Sequence, residues 1–143
     1  GFSFPLPDVG EPMIVLAAGL CRNGAASPTI TRVFFSESDA TMKVADWATR
    51  FRDPSVTTSG ADIGDLTASG YDPASKNVNT DCATTDSGTT DLAIQVEASA
   101  VGRFKGSNLV VEYSAGSRTG SFEVPVTLVF CVGYPKGSHC EGE

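Results

Sequence analysis

Four cysteines, one histidine and a scatter of aspartates are the residues of this 143-residue chain whose types could do chemistry. Cys21, Cys82, Cys131 and Cys140 are even in number and include no Cys-x-x-Cys pair. Zinc sites draw ligands from closely spaced cysteine and histidine pairs, and the single histidine, His139, stands alone beside Cys140. Two disulfides are therefore expected. Of the three possible pairings, Cys131–Cys140 with Cys21–Cys82 is favoured. Gly133, Pro135 and Gly137 let the chain fold back between the first two, and the second pair would pin a weakly apolar middle region to a buried strand. Disulfides persist outside the reducing cytosol, which implies an extracellular, cell-surface or periplasmic location. With the cysteines paired, no thiolate nucleophile remains.

The other catalytic patterns are weak. Ser59-Gly60 and Ser87-Gly88 lack the strand–turn–helix setting of a nucleophile elbow, and a serine triad would have only His139 as its base. Asp62 with Asp65, or Asp81, Asp86 and Asp91, could supply the acids of a secreted hydrolase, which is the alternative enzyme reading. The same Asp81, Asp86 and Asp91 could offer oxygen ligands to Ca2+, but the spacing is not that of an EF-hand and aspartate is common in turns for local hydrogen bonding. The turn reading is favoured, and no cofactor and no enzymatic activity are expected.

Charge narrows the partners. The formal net charge is −7 and the sequence pI about 4.6, opposite to what phosphate backbones and anionic bilayers attract. The partner expected is another protein or a surface glycan, with no nucleic acid. The apolar run Met13–Leu20 is too short to span a membrane.

The elements that would position these residues are mostly strands. Met13–Leu20 is continuously apolar, as in a strand buried on both faces, and residues 29–35 are β-branched and aromatic. Leu92, Ile94, Val96 and Ala98 alternate with Ala93, Gln95 and Glu97, the pattern of a half-buried strand. Residues 108–114 and 121–132 alternate too, and the connector 115–120 (AGSRTG) has hairpin chemistry, so these two should pair antiparallel. Between 36 and 53 the period changes. Val44, Trp47, Ala48 and Phe51 fall at i, i+3, i+4 and i+7, Ser36 could cap, and Pro54 could stop a helix. One short helix near residues 37–52 is expected, burying those four side chains. Residues 55–91 are poor in large apolar residues, and short strands near 63–68 and 76–79 are expected there.

The sum is one domain, 1–143, mostly β: an antiparallel sandwich-like fold of about seven strands with one helix and two disulfides. The alternative is an α+β fold with the helix packed on one antiparallel sheet. The segment from Cys131 to Cys140 resembles the C-terminal disulfide loop of type IV pilin-like heads, over ten residues. That resemblance implies a surface-filament subunit as one alternative, although the long apolar N-terminal helix of that family does not occur in this sequence. The reading favoured is a non-enzymatic interaction or structural module of adhesion, surface-assembly or receptor-ectodomain type. Tyr134, Pro135 and Lys136, at the tip of the cysteine-bounded loop, are its candidate contact residues.

Overall fold

The computed structural model describes residues 2–3, 8–56 and 60–134. Eight strands form two sheets: β1 (Phe2–Ser3), β2 (Met13–Leu20), β3 (Thr29–Ser38), β4 (Met42–Arg52), β5 (Ala61–Ile63), β6 (Thr89–Ala98), β7 (Gly102–Ala115) and β8 (Arg118–Val132). The front sheet has the order β1-β8-β7-β3 and the back sheet β4-β6-β2-β5. Seven strands are antiparallel, three in front and four behind, and the two-residue β1 adds in parallel to β8. The fold is the antiparallel sandwich expected from the alternation, and β7 and β8 form the expected hairpin.

Alternation explains the core. Met13, Val15, Met42, Leu92, Ile94 and Val96 face Ile30, Val33, Phe35, Leu109, Val111, Leu128 and Phe130 across the two sheets, all nearly sealed from solvent. The unbroken apolar run of β2 implies a strand buried on both faces, and this holds for Met13 to Val15, where Ile14 points into a second, smaller cluster with Ala48, Leu66, Tyr71 and Ala93, whereas Gly19 is exposed. That cluster lies on the outer face of the back sheet. β6 follows the expected alternation at Leu92, Ile94, Val96 and Ala98, with Gln95 and Glu97 half-buried between them, and departs from it at Ala93, which the outer cluster buries as fully as Leu92.

The helix expected near residues 37–52 does not exist. β3 runs to Ser38, a turn follows, and β4 pairs with β6 along its full length. A β-bulge misled the periodicity. Between Val44 and Asp46 the register slips by one residue, so Met42 and Val44 pair with Ala98 and Val96, while Trp47 and Thr49 pair with Ile94 and Leu92. The core-facing set thus changes from even to odd numbers, and the spacing of three from Val44 to Trp47 imitates a helical turn. Ala48 faces the opposite side, within the outer cluster. Phe51 is 57% exposed. Trp47 is half-buried, its indole Nε1 donating to Ile30 O at 3.3 Å. Lys76 lies over its ring and donates to Asp46 Oδ1.

The middle region forms a strap. After β5 on the edge of the back sheet, residues 64–75 cross that sheet's outer face through turns, placing Leu66 and Tyr71 on it. The strand expected near 63–68 is therefore only Ala61–Ile63, and the one near 76–79 is a single bridge, Thr29 to Asn77. Around that bridge the strap joins the sheets: Thr49 N donates to Ser75 O, Ile30 N to Lys76 O, and Val78 N to Pro28 O. It ends at Cys82, bonded to Cys21, ahead of a kinked 3₁₀ turn, Cys82–Ser87. Among the described residues one of the two expected disulfides, Cys21–Cys82, is seen. Cys131 is buried at the end of β8, and Cys140, its expected partner, lies outside the described residues.

Candidate functional site

β7 and β8 are the longest strands, at 14 and 15 residues, whereas β2 has 8 and β6 has 10. At one end the back sheet stops with the Leu20–Thr90 pair of β2 and the Arg52–Thr89 pair of β4, and the hairpin borders the cleft there. Its inner face runs outward from the core in paired steps: Val111 beside Phe122, Tyr113 beside Gly120, Ala115 beside Arg118. Val111 is sealed, while Phe122 is 37% exposed. The core face simply continues into the open, because no strand of the back sheet reaches far enough to cover it.

What stands opposite is the loop of residues 21–28. The space between is a cleft of about 640 Å³, floored by Leu20, Ile30, Val78 and Phe122, a size typical of binding sites. The loop wall is well anchored. Arg22 N donates to Thr80 O and Cys82 N to Arg22 O, alongside the Cys21–Cys82 disulfide. Arg22 Nη1 also donates to Ala25 O at 2.6 Å and Gly24 O at 3.3 Å, bracing the loop, while its Nε is buried without an acceptor.

On the hairpin wall Tyr113 and Phe122 pack with ring centroids 6.1 Å apart. Tyr113 lies across the strand beside it because position 120 carries no side chain: a Cβ there would sit 2.6 Å from the Tyr113 hydroxyl oxygen. Two charged residues line the cleft, Arg22 and Arg118, both cationic in a chain of net charge −7. The acids of the same hairpin, Glu112 and Glu123, pair with Ser121 and Val110 on its other face. Among the described residues no carboxylate, imidazole or free thiol lines the cleft. The cleft offers apolar surface, a phenol, a threonine hydroxyl and two guanidinium groups.

No family model, no curated protein and no solved structure matches this chain. Its function is argued from geometry alone.

A second hollow of about 330 Å³ lies between β4 and the strap, lined by Thr49, Phe51, Asn77 and Thr80 among others. Its hydroxyls are already engaged: Thr49 Oγ1 donates to Asn77 O at 2.7 Å, and Thr80 Oγ1 lies 3.0 Å from Leu20 O and 2.9 Å from Thr90 Oγ1.

The acids singled out in the sequence do not converge. Asp65 Oδ1 accepts from Ala68 N and Asp81 Oδ1 from Ala83 N, each closing a local turn. Asp91 is fully buried on β6, with Arg52 Nε 2.8 Å from its Oδ2, an ion pair without the alignment of a hydrogen bond. Asp62 is exposed on β5. Among the described residues no three such groups are placed to hold a metal ion. Nor is any helix among them long and apolar enough to cross a membrane. Tyr134 is half-exposed just beyond β8, while Pro135, Lys136 and His139 lie outside the described residues.

Sequence reasoning missed the cleft. One signal was present: Gly120 interrupts an otherwise alternating strand, and an isolated strand glycine marks a close approach of other atoms.

Proposed function

We propose that this chain is a non-enzymatic interaction module, acting outside the reducing cytosol, that takes its protein or glycan partner in the cleft at the end of the sandwich. One observation carries the reading: the aromatic inner face of the β7–β8 hairpin continues beyond the back sheet and stays open, opposite a loop held rigid by a disulfide and three backbone-directed anchors. Open apolar surface next to braced loops is a feature of recognition sites, where rigid aromatics supply contact area at low entropic cost. The disulfide supports the location. The hydrolase reading has less to stand on, since Asp65 and Asp81 serve turns and Asp91 is spent on Arg52.

The test uses protein and glycan arrays probed with the whole chain and with Phe122→Ser. Phe122 is partly exposed, so the variant should keep its fold, as circular dichroism would show. Ligands retained by the parent chain are expected to lose at least about tenfold in affinity with the variant, the cost of removing one anchoring aromatic. Unchanged binding by Phe122→Ser would move the site elsewhere.

A further inference from the structure

We propose that the partner enters the cleft as an extended, acidic peptide segment carrying one large apolar residue, added as a strand along the free edge of β8. The inference rests on the cleft being the binding site and goes on to name what fills it.

Three independent observations converge there. The first is an unpaired edge. Among the described residues, β8 has a neighbour on its outer side only at Leu128 and Val129, where β1 pairs with it. From Arg118 to Val126 its outer backbone groups face no strand among the described residues, and the segment is largely exposed. An extended chain can pair with such an edge, gaining main-chain hydrogen bonds while its alternate side chains turn toward the domain. Pro125 lies with Val126 in an irregularity opposite Asn108, between the Thr127–Ser107 and Val124–Leu109 pairs. It offers no N–H to a docking strand, so the usable edge ends near Val124.

The second is the apolar floor beside that edge. Side chains of a strand on β8 that turn to the inner face lie next to Phe122, at the rim of the cleft, and a large apolar one points toward the apolar floor of Leu20, Ile30 and Val78, in a volume of about 640 Å³.

The third is charge. The cleft's two charged groups are Arg22 and Arg118. Arg22 has only its Nη1 committed to loop carbonyls, and its buried Nε lacks an acceptor. A carboxylate suits a guanidinium fork in a way that a neutral amide does not. The acids on the hairpin's opposite face, Glu112 and Glu123, point the same preference inward, since a negative segment avoids them only on the cleft side. Over the remaining surface a chain of charge −7 repels acidic peptides. This cleft is where one could settle.

The experiment is a titration of the whole isotope-labelled chain, followed by amide chemical shifts, with four blocked peptides: Gly-Glu-Phe-Glu-Gly, its Gln-Phe-Gln and Glu-Ser-Glu analogues, and the first peptide N-methylated at phenylalanine. The expected result is a saturable shift confined to residues 113–124 and 20–30 with the first peptide. Each of the other three should bind at least about tenfold more weakly, roughly the effect of one lost charge-assisted bond, one lost anchor or one lost main-chain bond with its strand geometry. Arg118→Gln should weaken the acidic peptide and leave the Gln-Phe-Gln peptide unchanged. Equal binding of the acidic and neutral peptides would overturn the acidic preference, and full binding of the N-methylated peptide would overturn strand addition. Shifts at β5 or β4 would place the docking edge on the other sheet. Concentration-dependent shifts at 118–124 without peptide would show a second copy of the chain to be the occupant, which also overturns the proposal. These outcomes are distinct from unchanged array binding by Phe122→Ser, which would remove the cleft itself as the site.

Discussion

The centre of the back sheet, around Ile14, Ala48 and Ala93, is buried on both faces, and the two coverings are built differently. On the inner side every strand contributes residues at alternate positions, and the front sheet answers them with Val33, Leu109, Leu128 and Phe130. On the outer side no sheet is present. Residues 64–75 cross Ile14, Ala48 and Ala93 with two large apolar anchors, Leu66 and Tyr71, and the rest of the attachment is polar. Arg50 lies 4.0 Å over the Tyr71 ring and donates to Ser69 O and Gly70 O, and Gln95 Oε1 accepts from Leu66 N. The inner covering is hydrophobic and cooperative. The outer one is a tether of separate bonds, locked at its far end by a disulfide. A sheet face can therefore be sealed with few apolar residues when backbone-directed bonds and a crosslink replace area.

The contrast can be broken from its strong side first. Phe130→Ala removes a sealed side chain from between the sheets and is expected to cost about 3–5 kcal/mol, with the whole domain melting as one transition in urea. A loss below about 2 kcal/mol would show that the inner layer is less tightly packed than its burial implies. Removing the Cys21–Cys82 bond as Cys21→Ser with Cys82→Ser comes next. Its partners are 61 residues apart, so loop entropy sets an upper figure of about 4 kcal/mol. Here the response should be uneven: amide exchange should accelerate at Leu66, Tyr71 and Val78 well before it does at Leu92 and Ile94. Uniform acceleration would mean that strap and sandwich unfold together, and the distinction would collapse.

The smallest effect concerns pH. Burial holds the Tyr71 phenol above its ordinary value of 10.0, with the Arg50 guanidinium opposing the shift and the Asp91 charge adding to it. A raised value means that the folded chain keeps this proton longer than the unfolded chain does. The associated stability is complete below pH 10.0 and drains away as pH climbs through the raised value. Tyr71→Phe should flatten that alkaline decline in thermal melts while leaving stability near pH 7 changed only slightly. An identical decline in the variant would assign it to other groups.

The sandwich could be read from the sequence where one rule held for a whole strand. In β2, β6 and the β7–β8 hairpin, alternation or a continuous apolar run was enough. β4 was misread because a bulge changes the parity of its core-facing residues halfway along, and no local feature of Val44-Ala45-Asp46 announces it. The strap gave little because its order comes from distant backbone partners, such as Pro28 for Val78 and Arg22 for Cys82, which leave no periodic trace. The Cys21–Cys82 pairing was accessible because the weakly apolar middle region needs pinning to the first buried strand. The cleft was not, because it arises from a mismatch in length between elements far apart in the chain, and each strand pattern taken singly looks complete.

Strand order also dictates when this chain can fold. β6 is the partner of both β2 and β4, and β3 waits for β7, so before residue 98 has left the ribosome neither main ladder of the back sheet is complete. One strand pair is closed by a tight turn, the β7–β8 hairpin around Gly116, where φ is 63°. Assembly is expected to start at this hairpin and proceed backward along the sequence, slowly, as suits a fold dominated by distant pairings. Gly116→Ala, strained at that φ, should then retard refolding more than it hastens unfolding. The hairpin that offers the exposed edge in the finished domain would thus be the first long ladder to form, since earlier strands have only the three-residue β2–β5 pairing within reach before β6 is made.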